Sequence, residues 1–234
     1  MNSDVQRLAL ILEPLAADGL ADALAAAVTG LAGHIGVRIA TPGAVDMFAL
    51  AEDRARPRPV GAAVELTCRS TDADATLFDA ARQVAAGLAG RIDAARSTVA
   101  IGPLHVIEQR AGDALMVIAA RRDPSLTAAA FFDWWYNQHA PLARRLLGGT
   151  IPFGYEQVHV DQARSRTACG HVGFGWEPLD VYETLVAPSF QTFIDIYADQ
   201  AFQQGLVEDE AGHIDHASLW AGGMDGCAVA MERG

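Results

Sequence analysis

Apolar positions in the first hundred residues follow two rhythms. Alternating or continuous short apolar runs at Leu8 to Glu13, Gly36 to Ala40, Ala62 to Cys68 and Thr98 to Gln109 predict strands, since side chains alternate across a pleated strand. Between them, alanine-rich stretches at about Leu20 to His34 and Asp72 to Ile92 place apolar residues at helical spacing. Ser70, Thr71 and Asp72 offer caps to the second helix. The order is βαββαβ.

The rest of the chain repeats that order. Leu115 to Ala120 reads as a strand, and Thr127 to Leu147 as a helix stopped by Gly148-Gly149. Strands follow at Tyr155 to Val160 and Asp180 to Val186. A helix begins after Pro188 and runs from Ser189 to about Leu206, and Ala217 to Met231 contains the last strand. The two halves, residues 1–110 and 111–234, agree in element order at an offset of roughly a hundred residues, which indicates an internal duplication. Each βαββαβ half is a ferredoxin-like unit, an antiparallel sheet with both helices on one face. Two such units pressing their bare faces together give an α+β fold, an antiparallel β-barrel with the helices outside. The insert from Asp161 to Leu179 is too long for a hairpin and is expected as a loop over one end of the second unit.

The chain is acidic, with a net charge of −12 over 234 residues, which disfavours nucleic acid and anionic membrane surfaces as partners. All 17 basic residues are arginine, so Schiff-base chemistry and a lysine-bearing phosphate loop are excluded. Cys68, Cys169 and Cys227 are odd in number and widely spaced, which points to neither a disulfide scaffold nor a zinc site and fits a reducing cytoplasm. The N-terminus lacks a signal peptide's layout, and no apolar run approaches the ~20 residues that cross a bilayer. Gly-rich phosphate loops and nucleophile elbows are absent, so no cofactor is expected.

The helix TAAAFFDWWYNQHAPLARRLL carries the candidate chemistry. At about 100° per residue, Phe132, Trp135, Leu142 and Leu146 lie within roughly 60° of His139, while Asp133, Asn137, Arg144 and Arg145 fall opposite. An imidazole on an apolar face is either a general acid/base, titrating near or below neutrality through desolvation, or a core histidine tied to a carbonyl. Trp134 and Trp135 point about 100° apart, so Trp135 is the better pocket residue. On the strand after the helix, Tyr155, Gln157 and His159 share one face, and which face meets the helices is left open. Glu183 opens the next strand as a possible partner for an imidazole. His213, Asp215 and His216 form a weak metal-capable group that reads better as a solvated turn, and no metal is expected. His34, His105 and His171 have no supporting context.

The run from Met116 to Val160, a strand ending in Arg121-Arg122, then SLTAAAFFDWWYNQHAPLARRL, then GYEQVHV, resembles the EthD-type members of the dimeric α/β-barrel superfamily. Phe132, Trp135, His139, Pro141, Leu142 and Tyr155 match the family pattern. The first unit carries no Trp and no His-x-Pro in its helix, so the resemblance implies that it completes the barrel while the second holds the chemistry. It also implies a cofactor-independent lyase of dehydratase or cyclase type, acting by proton transfer on a small hydrophobic, aromatic, polyketide-like or ring-fission substrate. His139, Tyr155 and His159 would be catalytic, with Phe132, Trp135, Tyr136, Leu142 and Glu183 around the substrate. The wider superfamily keeps open a lactone isomerase, a cofactor-free oxygenase, a chlorite-dismutase-like haem protein, and a non-catalytic binding or assembly protein, as well as a homodimer.

Overall fold

The computed structural model describes residues 4–43, 57–69 and 72–229, so the caps expected at Ser70 and Thr71 and the strand end at Met231 lie outside the described residues. The first unit comprises β1 (Gln6–Leu12), α1 (Leu20–Val28), β2 (Gly36–Pro42), a two-residue β3 (Arg58–Pro59), β4 (Ala62–Cys68), α2 (Ala73–Gly87) and β5 (Thr98–Glu108). The second comprises β6 (Ala114–Arg122), α3 (Ala128–Trp134), a π-helical turn (Trp135–His139), α4 (Ala140–Leu146), β7 (Gly154–His159), α5 (Gln162–Val172), β8 (Val181–Ala187), α6 (Phe190–Tyr197), α7 (Gln200–Glu210) and β9 (Ile214–Val229).

Eight strands form a closed antiparallel ring in the order β2-β4-β1-β5-β7-β8-β6-β9, with β9 returning to β2. The first four positions and the last four are the same permutation of each unit's strands, as a duplicated fold requires. Two long strands join the halves. β5 pairs with β1 through residues 98–103 and with β7 through residues 104–108, while β9 pairs with β6 through residues 214–225 and with β2 through residues 224–229. β3 takes the part of the β9 edge beside Trp220 and Ala221.

Alternation divides each strand between two cores. Leu8, Leu10, Val64 and Leu66 turn outward under α1 and α2, whereas Ala9, Ile11, Ala63 and Ala100 fill the barrel with Val117, Val158 and Tyr182. Charge is also buried inside. Arg7 reaches Glu156 at 2.6 Å, Arg38 reaches Glu65 and Glu156 at 2.8 Å each, and Tyr182 donates to Glu65 at 2.9 Å. Two guanidinium groups and two carboxylates drawn from both units neutralise one another, the condition under which buried charge is tolerated. Burial alone would raise the Glu156 carboxyl, but Arg7 and Arg38 outweigh it and hold the pKa down at about 2.

Three departures from the sequence pattern have local causes. α1 stops at Val28 because Gly30 turns left-handed at φ 82°. The helix expected from Ser189 to Leu206 breaks at Asp199, whose side chain caps Ala201 and Phe202, and restarts as α7. The insert is not a loop. Asp161 accepts from the Arg164 N–H and starts α5, whose Ala168 and Cys169 pack into the first unit's outer core.

Gly102 sits where β5 passes under the end of β7, and a Cβ there would collide with the His159 carbonyl. Gly102→Ala should therefore destabilise the protein by about 1–3 kcal/mol in urea unfolding, as overpacked sites do. Gly170→Ala, on the exposed side of α5 with open space around it, should be neutral or stabilising by about 0.5–1 kcal/mol.

Candidate functional site

Thr127 caps α3 by accepting from the Ala130 N–H, and the helix then widens. From Trp135 to His139 it is π-helical, with the Ala140 N–H bonded to the Trp135 carbonyl five residues back. Pro141 supplies the cause, since its ring has no N–H to give and crowds the carbonyl four residues earlier. The extra residue in the turn lets Trp134, Trp135 and His139 all be buried, at 3%, 1% and 7% exposure, in different directions.

β7 presents Tyr155, Gln157 and His159 to the helices and Glu156 and Val158 to the barrel, which settles the face left open by the sequence. Across the sheet, His105 of β5 and Glu183 of β8 stand in register with Gln157. These residues divide into a sealed group and an open one, with Trp135 between them.

The sealed group lies towards α7. His139 Nδ1 is 2.8 Å from Asp209 Oδ2, and the Trp134 indole donates to the same carboxylate at 3.4 Å. Burial pulls the imidazole towards neutrality, but the Asp209 hydrogen bond and the carboxylates of Glu183 and Glu210 outweigh it. The His139 pKa is thus raised, not lowered as an apolar helix face alone implies. Asp209 is correspondingly lowered, first by the hydrogen bond from His139. Burial pushes Glu183 up to about 7 against the opposing effects of His139, Tyr155 and Trp135. Tyr155, 2% exposed, is raised well above 10 by burial and by Glu183, so it stays protonated.

The open group faces a cleft of about 620 Å³ between α3 and the β5–β7 edge, a size that suits a small ring system. Phe132, Tyr136, His105 and His159 line it as one packed group of rings. His159 stacks on Phe132 at 4.5 Å between ring centroids and 8° between planes, and lies 4.1 Å from the His105 ring. Burial and the neighbouring His105 charge lower His159 to about 3, so it is uncharged at neutral pH. His105 is lowered too, mainly by burial. At the far end Asp180 is spent on Arg122, with its second oxygen on the Arg122 backbone N–H, while Gln162 at the start of α5 completes the wall.

Of the residues singled out from sequence, Phe132, Tyr136 and His159 line the cleft. Trp135 backs its wall, stacked on His159 at 5.3 Å. His139, Tyr155 and Glu183 lie behind that wall, and Leu142 is half-buried away from it. Asp209 was missed because the expected helix ended at Leu206, although Asp199 as a cap would have extended it. His105 was missed because one strand read alone does not reveal its cross-strand neighbours. His213 stacks on Trp134, Asp215 pairs with Arg121 and His216 approaches Glu210, so those three serve separate contacts.

Fold and site together define a tandem ferredoxin-like barrel with an aromatic, histidine-lined cleft among the described residues. Residues 123–217 match the EthD domain family, and the chain as a whole has the dimeric α/β-barrel fold. No curated protein matches the sequence. Among solved structures, a proposed monooxygenase from Fusobacterium nucleatum subsp. nucleatum is 10% identical, with a TM-score of 0.56 over 96% of this chain and 93% of that one. A chlorite dismutase variant from Candidatus Nitrospira defluvii is 12% identical, with a TM-score of 0.51 over 96% and 92%. A proposed monooxygenase from Lactobacillus acidophilus NCFM is 9% identical, with a TM-score of 0.53 over 96% and 98%. These likenesses concern the fold.

The layer beside His139 does not fit a haem. Between the second sheet and its helices it is filled by Phe131, Trp135, Phe153 and Phe193, none more than 4% exposed, and His139 is itself only 7% exposed.

Glu183 holds its proton more tightly folded, at about 7, than unfolded, at 4.5. The folded state therefore binds more protons between those values, and the residue's contribution to stability falls as pH rises through 7. The stability of Glu183→Gln relative to wild type should grow by about 1–3 kcal/mol from about pH 5 to about pH 8, measured by urea unfolding. A difference that stays flat with pH contradicts this reading of the buried carboxyl.

Proposed function

We propose that this protein is a cofactor-independent enzyme, of lyase type, that binds a small planar aromatic or polyketide-like carbonyl compound in the cleft and moves a proton next to its carbonyl. The observation that carries the reading is His159, an uncharged imidazole stacked on Phe132 and turned into an aromatic-walled cleft. Phe132 and Tyr136 would hold the ring by stacking and edge contacts. His159, assisted by His105, would meet the polar atoms of the substrate. Proton removal beside a carbonyl begins dehydration, isomerisation and ring closure alike, and an uncharged imidazole is in the protonation state that can accept that proton.

His139 acts from behind the wall. Paired with Asp209, it ties the π-helical turn to α7 and places a positive charge near Glu183, while Tyr155 stands between Glu183 and Gln157. A ligand-binding protein without catalysis is the second reading, favoured by the sealing of His139, Tyr155 and Glu183 from the cleft.

Screening purified protein against hydroxylated aromatic ketones by tryptophan fluorescence and product chromatography tests the proposal. Phe132→Ala should weaken binding by about tenfold. His159→Ala should lower kcat by about 10²–10⁴-fold while the protein stays folded. Full turnover in folded His159→Ala rejects the catalytic assignment, and binding with no turnover by the wild type supports the second reading.

A further inference from the structure

Gln157 belongs to neither group described above, yet it touches both. Its Nε2 donates to the Trp135 carbonyl at 3.3 Å and to the Tyr155 hydroxyl at 2.8 Å, and its Oε1 lies 3.4 Å from His159 Nε2. The residue is fully buried, so none of these contacts is exchanged for bulk water.

A backbone carbonyl can only accept, so the group of Gln157 that faces Trp135 O must be the NH₂. The reversed amide would set two carbonyl oxygens against each other in a buried site. Oε1 therefore faces His159, and since Oε1 can only accept, His159 Nε2 must carry the ring proton. In a neutral imidazole the other nitrogen, Nδ1, is then left as a lone pair. Nδ1 has no hydrogen-bond partner among the described residues, and His159 borders the cleft.

We infer that Gln157 is a positioning residue that fixes His159 as its Nε2–H tautomer, so that the cleft offers an acceptor at Nδ1 and selects ring compounds that present an O–H or N–H donor. The inference rests on the reading of the cleft as the ligand site and names the ligand class more narrowly. A phenol or enol hydroxyl would donate to Nδ1 while its ring packs in the cleft beside the Phe132 and Tyr136 rings, whereas an ether or quinone of the same shape would bring a second acceptor against a lone pair. A buried polar group left unpaired in this way gives strong discrimination.

The tautomer can be read without knowing the ligand. Long-range ¹⁵N–¹H correlation spectra of wild-type protein labelled in histidine should show His159 with a pyrrole-type Nε2 and a pyridine-type Nδ1 near pH 7. In Gln157→Leu the two nitrogens should move towards averaged values, with the near-ultraviolet dichroism of Trp134 and Trp135 reporting that the fold is kept. A pyridine-type Nε2 in the wild type overturns the inference, whatever the variant does. In a second arm, 2-naphthol should bind the wild type at least about tenfold more tightly than 2-methoxynaphthalene, a gap near that of one hydrogen bond, and Gln157→Leu should close it. Equal affinities in the wild type overturn the donor selection. Binding of either probe that Phe132→Ala leaves unchanged rejects the cleft as the ligand site, and the spectra still decide the tautomer.

Discussion

The carbonyl oxygen of Trp135 accepts two hydrogen bonds, one from the Ala140 N–H across the π-helical turn and one from the Gln157 amide on the sheet beneath, and the layout of the cleft follows from that pair. A regular α-helix would bond this carbonyl to the N–H four residues on. Pro141 makes the regular path costly, the turn widens by one residue, and the carbonyl becomes available to a side chain of β7. The same widening turns Trp134 and His139 towards Asp209 on α7, presses Trp135 onto the sheet, and leaves Phe132 and Tyr136 on the cleft side against His159 and His105.

The barrel provides the rigid side of this arrangement. β5 and β9 each pair with both units, and the Arg7, Arg38, Glu65 and Glu156 cluster neutralises its charges only when the units are joined. His105 and His159 sit on the two strands paired at that junction, His105 opposite Gln157 and so diagonal to His159, and the histidine pair is set by sheet geometry and not by a loop. The duplication supplies two similar frames, yet α1 has neither aromatic pair nor His-x-Pro. The asymmetry of sequence explains why the aromatic cleft described here forms beside α3.

Periodicity made the repeated βαββαβ order and the closed barrel legible, because alternation and helical spacing are local properties that the strands and helices keep after packing. The aromatic helix and the candidate histidine were legible for the same reason. What escaped was the direction of each side chain on that helix. A wheel at 100° per residue puts Phe132 beside His139, but the π-helical turn Trp135–His139 lies between them and rephases the second part, so Phe132 lines the cleft and His139 does not. The pairing of His139 with Asp209, the register of His105 with Gln157 and the pinning of α5 on the first unit are contacts between distant segments, to which spacing within one segment is blind. The raised pKa of His139 belongs with these, since burial could be guessed from the pattern and the compensating carboxylates could not.

The account turns on two histidines with opposite environments, one uncharged at the cleft and one paired behind it. Titration of the histidine ring resonances of the wild-type protein by NMR, from about pH 4 to about pH 9, measures both at once. His159 should remain neutral through the whole range and His139 should lose its proton above its ordinary value of 6.5. A His159 that titrates near 6.5, or a His139 that stays neutral throughout, would contradict it.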